Sequence, residues 1–501
     1  MAKATKVGGF QNVFIEVQGR GMAGINAAAK AVAAAGGRIT HAVPPSVVVA
    51  AVPSDKAKSL TGTARLTMAT TAKIPATKMK GRPHIVAEAM TIWNGHQDPG
   101  RISRSMTNRS LGMRFDAPGR KPPDPPPDIA ARIRRRETTA LGTRALRGSR
   151  ALGAPNLAIP VLVGRIAVGI VYVDSTAAQY AIANNEKLKV TSETIEGLNM
   201  LSSFEPRAGI QWFYDFQRPK ISLGASQFPA GQENTWEDKW RNAALGAMGY
   251  AASVAGMNKY IADLKTRFGA QHAYALFVTK YPKDWFAYYW GNHVVMDFQV
   301  DGWGIDNFNL VVAHETGHVF GCPDEYTSSG CNCTSKAGRY EIANGNCEKC
   351  ASPFVPCLMC ANTPAVCDFT RGHLGWNELA VFSKGTASLK GTWTFDLEAG
   401  KLGPPTGADL WWRQVNSVTR YLVPQGGAML AHLGKPNFDA VSSQTLATAP
   451  YTATPINGSN NSSNKLTANS VIAVRTNAGR YAKIKVESYG YNLGIRWVTY
   501  S

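Results

Sequence analysis

Val311-Val312-Ala313-His314-Glu315-Thr316-Gly317-His318-Val319-Phe320-Gly321-Cys322-Pro323-Asp324-Glu325-Tyr326 places two histidines four residues apart, with a glutamate beside the first. On a helix, positions i and i+4 share a face, so the His314 and His318 imidazoles project together. That spacing lets two nitrogens reach one zinc ion at ~2.0–2.1 Å. Glu315 is then placed to take a proton from water activated at the metal. Asp306 or Asn307 can start the helix, and Gly321 can end it by adopting a positive φ. The chain turns back, and Asp324 arrives as a hard oxygen ligand. Three protein ligands with one open position is the arrangement that catalysis requires. Glu325 is a rival third ligand, one residue out of register. A bare His-Glu-x-x-His also occurs by chance on a helix face. Gly321, Asp324, the apolar strand before the helix and Cys357-Leu358-Met359-Cys360 beyond it weigh against chance here. His373 reads as a packed or surface histidine beside Trp376.

Around this helix, residues 160–385 alternate strands with helices. Strands are expected at 166–173, 209–216, 272–279 and 288–298. Helices are expected at 191–203, from Asn234 or Thr235 through Trp236, Trp240, Ala244 and Met248, and at 257–268 before Gly269. Such alternation predicts a sheet with helices packed on it.

Residues 1–100 read as a separate α+β module of ferredoxin-like order. Strands are expected at 13–17, 38–43, 47–52 and 64–68, with helices at 22–35 and 55–60. Residues 101–159 read as a disordered linker, with a stiff Pro122–Pro127 spacer followed by Arg132-Ile133-Arg134-Arg135-Arg136. Residues 386–501 read as an all-β sandwich or barrel. There 470–476 and 480–488 flank Asn477-Ala478-Gly479 as a hairpin, with Ala482, Ile484 and Val486 on its buried face and Lys483, Lys485 and Glu487 on its wet face. Trp411-Trp412 suits a sugar platform less well than a core.

Composition narrows the classes of function. In 501 residues, hydrophobic types make up 44% and charged types 18%, which excludes a wholly disordered chain. The longest apolar stretch, 156–173, is broken by Pro160 and Arg165, so no membrane span is expected. The net charge is +20. Residues 101–150 carry 13 basic against 4 acidic side chains, dense enough to attract an acidic surface, but Phe115 is the lone aromatic there, and base stacking onto nucleic acid is disfavoured. All eight cysteines fall within 46 residues: Cys322, Cys331, Cys333, Cys347, Cys350, Cys357, Cys360 and Cys367. They predict disulfides, with a second, structural zinc held by Cys331, Cys333, Cys347 and Cys350 as the alternative. No apolar leader is visible at the N-terminus, which taken alone leaves the cytoplasm open.

His314 to Asp324 resembles the extended zinc motif of the metzincin metallopeptidases, in its snapalysin-like form with aspartate as third ligand. The likeness spans about residues 160–380. It implies one catalytic zinc on His314, His318 and Asp324, Glu315 as general base and then proton donor, and protein or peptide substrates. It implies Met359 at a Met-turn beneath the metal, and a substrate strand pairing with an edge strand at 288–298. A bridge from Cys322 to Cys360 would hold the metal-binding turn to the Met-turn. The cysteine-rich insert departs from the general pattern. The first 70 or so residues resemble propeptides of subtilisin-type proteases. Together these imply an exported zymogen, cut at Arg132–Arg136 by an activating protease or by itself. A carboxylate such as Asp116 would cover the zinc before the cut. The alternatives are an inert zinc-containing binding or structural protein acting through its β-domain and basic linker, and a nucleic-acid binder acting through residues 101–150.

Overall fold

The apolar run around Ile170 becomes the middle of a mixed sheet. The computed structural model describes residues 9–19, 21–60, 66–98, 110–126, 129, 158–378, 381–404, 406–441 and 443–500. They belong to two compact units, Met1–Cys333 with Asn346–Val366, and Thr334–Gly345 with Cys367–Ser501.

In the first unit the strands are β1 (Phe10–Val17), β2 (Arg38–Val43), β3 (Val47–Pro53), β4 (Leu66–Thr70), β5 (Arg165–Ser175), β6 (Gln211–Gln217), β7 (Lys220–Ile221), β8 (His272–Thr279), β9 (Ala287–Trp290) and β10 (His293–Asp297). Among the described residues they form one sheet in the order β4-β1-β3-β2-β6-β5-β8-β10-β9, with β7 beside β5. Strands β6, β5, β8 and β10 run parallel, and β9 is an antiparallel edge. Covered on both faces, β5 and β8 are buried almost throughout, as central parallel strands must be.

Two expectations change here. The N-terminal strands keep the order β4-β1-β3-β2 but do not form a sheet of their own. Strand β2 pairs in parallel with β6 at His41↔Trp212 and Ala42↔Phe213. Val13, Ile25 and Val48 share one core with Ala167, Phe213 and Leu264. The exposed edge of β6 accepted a further strand, which a local hydrophobic pattern does not report. The expected strand 288–298 is a hairpin, because Gly291, at φ 62°, turns the chain between Trp290 and His293.

The helix Phe308–Val319 is buried nearly all round, as a helix inside the protein should be. Another helix, Asn184–Ser203, crosses it at Gly197. A Cβ there would lie 2.1 Å from the Asn309 carbonyl oxygen, so only glycine permits this approach.

The second unit holds two antiparallel five-stranded sheets. One contains Val381–Leu389, Leu493–Tyr500, Tyr481–Ser488, Val471–Arg475 and Met429–His432. The other contains Lys401–Leu402, Thr394–Asp396, Leu410–Gln414, Arg420–Pro424 and Ile456–Asn457. Leu389 and Ile484 from the first share a core with Phe395 and Trp412 from the second. The hairpin around Gly479 pairs Arg475 with Tyr481. Its wet face is not wet at Lys483, which is buried and donates to the Phe438 and Val441 carbonyls at 2.7 and 2.6 Å.

Candidate metal centre

The site helix ends as its sequence predicts. Gly321 takes φ 85°, and Cys322 N–H donates to the Gly317 carbonyl at 3.1 Å, closing the last turn. At the other end Asn307 precedes Phe308 but makes no side-chain cap. Its amide donates instead to the Trp303 carbonyl at 2.5 Å.

His314 donates Nδ1–H to the Leu358 carbonyl at 2.9 Å, and His318 donates its own to the Cys322 carbonyl at 2.7 Å. Those bonds fix both tautomers and leave each Nε2 as a lone pair. The two Nε2 atoms are 3.0 Å apart. Asp324 Oδ1 lies 3.3 and 3.4 Å from them. Asp124 Oδ2 lies 2.9 and 2.8 Å from them. All four ligand atoms fall within 4.8 Å of one another. Four acceptors converging in a buried place require a cation or shared protons between them. The residues therefore fit a metal with nitrogen and oxygen ligands. Burial pulls the His314 imidazole down, but Asp124 and Asp324 outweigh it and raise it to about 10. Burial pushes Asp124 up, and the two imidazoles more than reverse this. The same field that would hold protons here would hold a cation.

Glu315 is fully buried, and neither carboxylate oxygen has a hydrogen-bond partner. Burial first, and then the charge of Asp124, raise its pKa well above the carboxylate range. Met359 is buried beneath the helix. A Cβ on Gly317 would come 2.9 Å from its sulfur, so the glycine seats the methionine directly under the ligands. Glu325, the rival third ligand, is not among the four converging residues; Asn346 donates to its Oε2 at 2.7 Å. His373 is packed in the other unit, with Nε2 3.0 Å from the Ile342 carbonyl oxygen.

Two residues enter that the sequence reading passed over. Tyr326 is buried, and its hydroxyl hydrogen-bonds Asp324, which orients that carboxylate. Asp124 comes from the segment expected to be a disordered linker. Residues 110–126 are folded across the site instead. Gly112 and Phe115 donate to the carbonyls of Asn362 and Cys360 at 2.8 and 3.1 Å, and Asn362 donates back to Met113 at 2.9 Å. Phe115 is buried edge-on against His314, with ring centroids 4.8 Å apart. Trp303 and Trp285 donate to the Lys121 and Pro122 carbonyls at 2.8 and 3.0 Å. The carboxylate expected at the metal, Asp116, accepts from Ser328 N–H at 3.0 Å, and Asp124 stands in its place. A signal was present: Asp124 is the one acid within Pro122–Pro127. The arginines at 132–136 lie outside the described residues.

The cysteines form two bridges, Cys331–Cys347 and Cys333–Cys350. These two bridges agree with the disulfides expected, and they pair the four thiols of the alternative, a second zinc, with one another. The bridge expected between Cys322 and Cys360 is not formed. Cys360 Sγ turns into its own loop, 3.1 Å from the Cys357 carbonyl oxygen. Burial holds the Cys322 and Cys360 thiols well above their usual range.

Comparison with models of known protein families, with curated proteins and with solved structures finds no significant match.

Proposed function

We propose that the protein is a zinc-dependent endopeptidase made in a latent form. One observation carries the reading: the His314, His318, Asp324 and Asp124 acceptors converge beside the partnerless buried carboxyl of Glu315. Bound zinc would supply a Lewis acid that polarises water and the scissile carbonyl. His314, His318 and Asp324 would hold it, with Tyr326 orienting Asp324. Beside a bound cation Glu315 would be ionised, accept the proton of the attacking water and pass it to the leaving amine. Among the described residues β9 is the antiparallel edge of the sheet, the place where an extended peptide would add a strand. The metzincin-like motif supports this assignment, and the order β4-β1-β3-β2 supports a ferredoxin-like N-terminal part. Two disulfides fit an exported protein.

Latency would lie with Asp124, which would be a fourth protein ligand where the attacking water would bind. A cut at Arg132–Arg136 would leave residues 110–126 on the N-terminal fragment, freeing them to withdraw. Asp124 equally favours a second reading, an inert structural zinc closed by four protein ligands. Casein hydrolysis separates the two. The peptidase reading expects Asp124→Ala, or a chain cut near Arg136, to gain at least about tenfold in activity, on the scale of one general acid–base contribution. Glu315→Ala should remain inactive. Zinc-loaded Asp124→Ala and cut chains that are both inert would establish the closed, structural site.

A further inference from the structure

Away from the metal centre, β1, β3, β2 and β6 form the floor of an open cavity of 270 Å3, roofed by helices His84–His96 and Asn184–Ser203. Phe14 and Trp93 meet on one wall with ring centroids 5.9 Å apart. His41 and Tyr214 stack on another, 5.9 Å apart at an interplanar angle of 9°. A second hollow shares Ile85, Glu88 and Phe216 with it and leads towards His84 and Arg218.

The charges at this place are already matched. Arg218 pairs with Glu88, His84 lies 3.5 Å from the same carboxylate, and Arg267 holds Asp215 at 2.7 Å. His96 Nε2 is 3.0 Å from the Ser192 hydroxyl. His41 is buried, and desolvation lowers it to about 4, so it is neutral at physiological pH. Its Nε2–H donates to Asn199 Oδ1 at 3.2 Å, and its Nδ1 accepts from the Tyr214 hydroxyl at 2.9 Å. Asn199, exposed at the rim, then presents its Nδ2 amide as a donor. The interior offers aromatic and aliphatic surface, and the lining adds the amides of Asn12, Gln97 and Asn199, of which Asn199 is oriented by His41.

We propose that this cavity binds one small neutral aromatic molecule, of one or two rings, whose hydroxyl or carbonyl oxygen accepts a hydrogen bond from Asn199. A cavity of this size suits a small ligand, and an ionic one would enter without a counter-charge. The proposal is independent of the peptidase reading.

The test is calorimetric titration of the full-length chain with p-cresol and with toluene, which differ by one oxygen. The expected result is one p-cresol per chain, with toluene about five- to tenfold weaker, the worth of one hydrogen bond. Asn199→Leu should bind the two equally. Ala89→Phe and Val49→Phe, which fill the space from opposite sides, should bind neither. The proposal is overturned if wild type binds no p-cresol at millimolar concentration, if a folded filling variant still binds it, or if Asn199→Leu keeps the preference. Should both filling variants fail to fold, the Asn199→Leu comparison decides alone.

Discussion

Two buried histidine–carboxylate clusters lie in the same unit, and they solve the burial of charge in opposite ways. In the first, Glu237 meets donors: Arg241 at i+4, His293 Nε2 at 2.9 Å and the Tyr288 hydroxyl at 2.5 Å. Burial pushes Glu237 up, but Arg241 and His293 outweigh it and hold the carboxyl well below its ordinary range. Positive and negative charge close on each other, although Arg241 Nε and His293 Nδ1 are left without a hydrogen-bond partner. In the second, His314, His318, Asp124 and Asp324 all present acceptors. Both imidazole N–H groups are spent on backbone carbonyls. The first cluster matches its charges within the protein, whereas the second needs a cation or shared protons at its centre. Composition would not separate them; the direction of each proton does.

The two buried glutamates give the sharpest contrast. Glu315→Ala should keep the metal and, measured in a chain activated by cutting, lower peptide hydrolysis by about 10²–10⁴-fold. Because neither oxygen of Glu315 is hydrogen-bonded, the same change should leave the melting temperature unchanged or raised. A full-rate Glu315→Ala enzyme would break the comparison.

The histidines come next. His314→Ala should weaken zinc binding, followed by chelator competition, by more than about a hundredfold, since even outer-shell changes cost 10–100-fold. His293→Ala should leave metal content unchanged and lower stability instead. Equal metal loss in both would show that the clusters had been wrongly distinguished.

Glu237→Ala leaves buried Arg241 with the partly exposed Asp238 as its remaining acidic partner and should cost about 3–5 kcal/mol in denaturant unfolding. Its pH dependence has a definite sign. The folded pKa lies below the unfolded value of about 4.3, so the carboxyl's contribution is complete above that pH. It is lost as the pH falls towards the folded value. Glu237→Gln should therefore flatten the acid limb of the stability profile. Gly197→Ala is the smallest of these changes, about 1–3 kcal/mol, as the helix is pushed off the Asn309 carbonyl.

The site helix was legible because its information is local. The i, i+4 spacing of His314 and His318, the glycine stop and the return to Asp324 all lie within eleven residues. Asp124 was not legible as a ligand, because it reaches the same point from 190 residues away, through pairing with Cys360 and Asn362. The N-terminal strands were legible one by one, but their union with β6 is a choice of partner that no periodicity encodes. The hairpin at Gly291 had a sequence signal, Gly291-Asn292, set inside an apolar run long enough to read as one strand. Lys483 misled because a long amphipathic side chain can bury its stem and still satisfy its ammonium on two carbonyls.

The most direct test of the central claim is X-ray absorption at the zinc edge on the full-length chain carrying one equivalent of zinc. The account predicts four light-atom ligands at about 2.0–2.1 Å, two of them imidazoles, with no sulfur scattering near 2.3 Å. A sulfur shell would move the metal to the cysteines and contradict the assignment of His314, His318, Asp324 and Asp124.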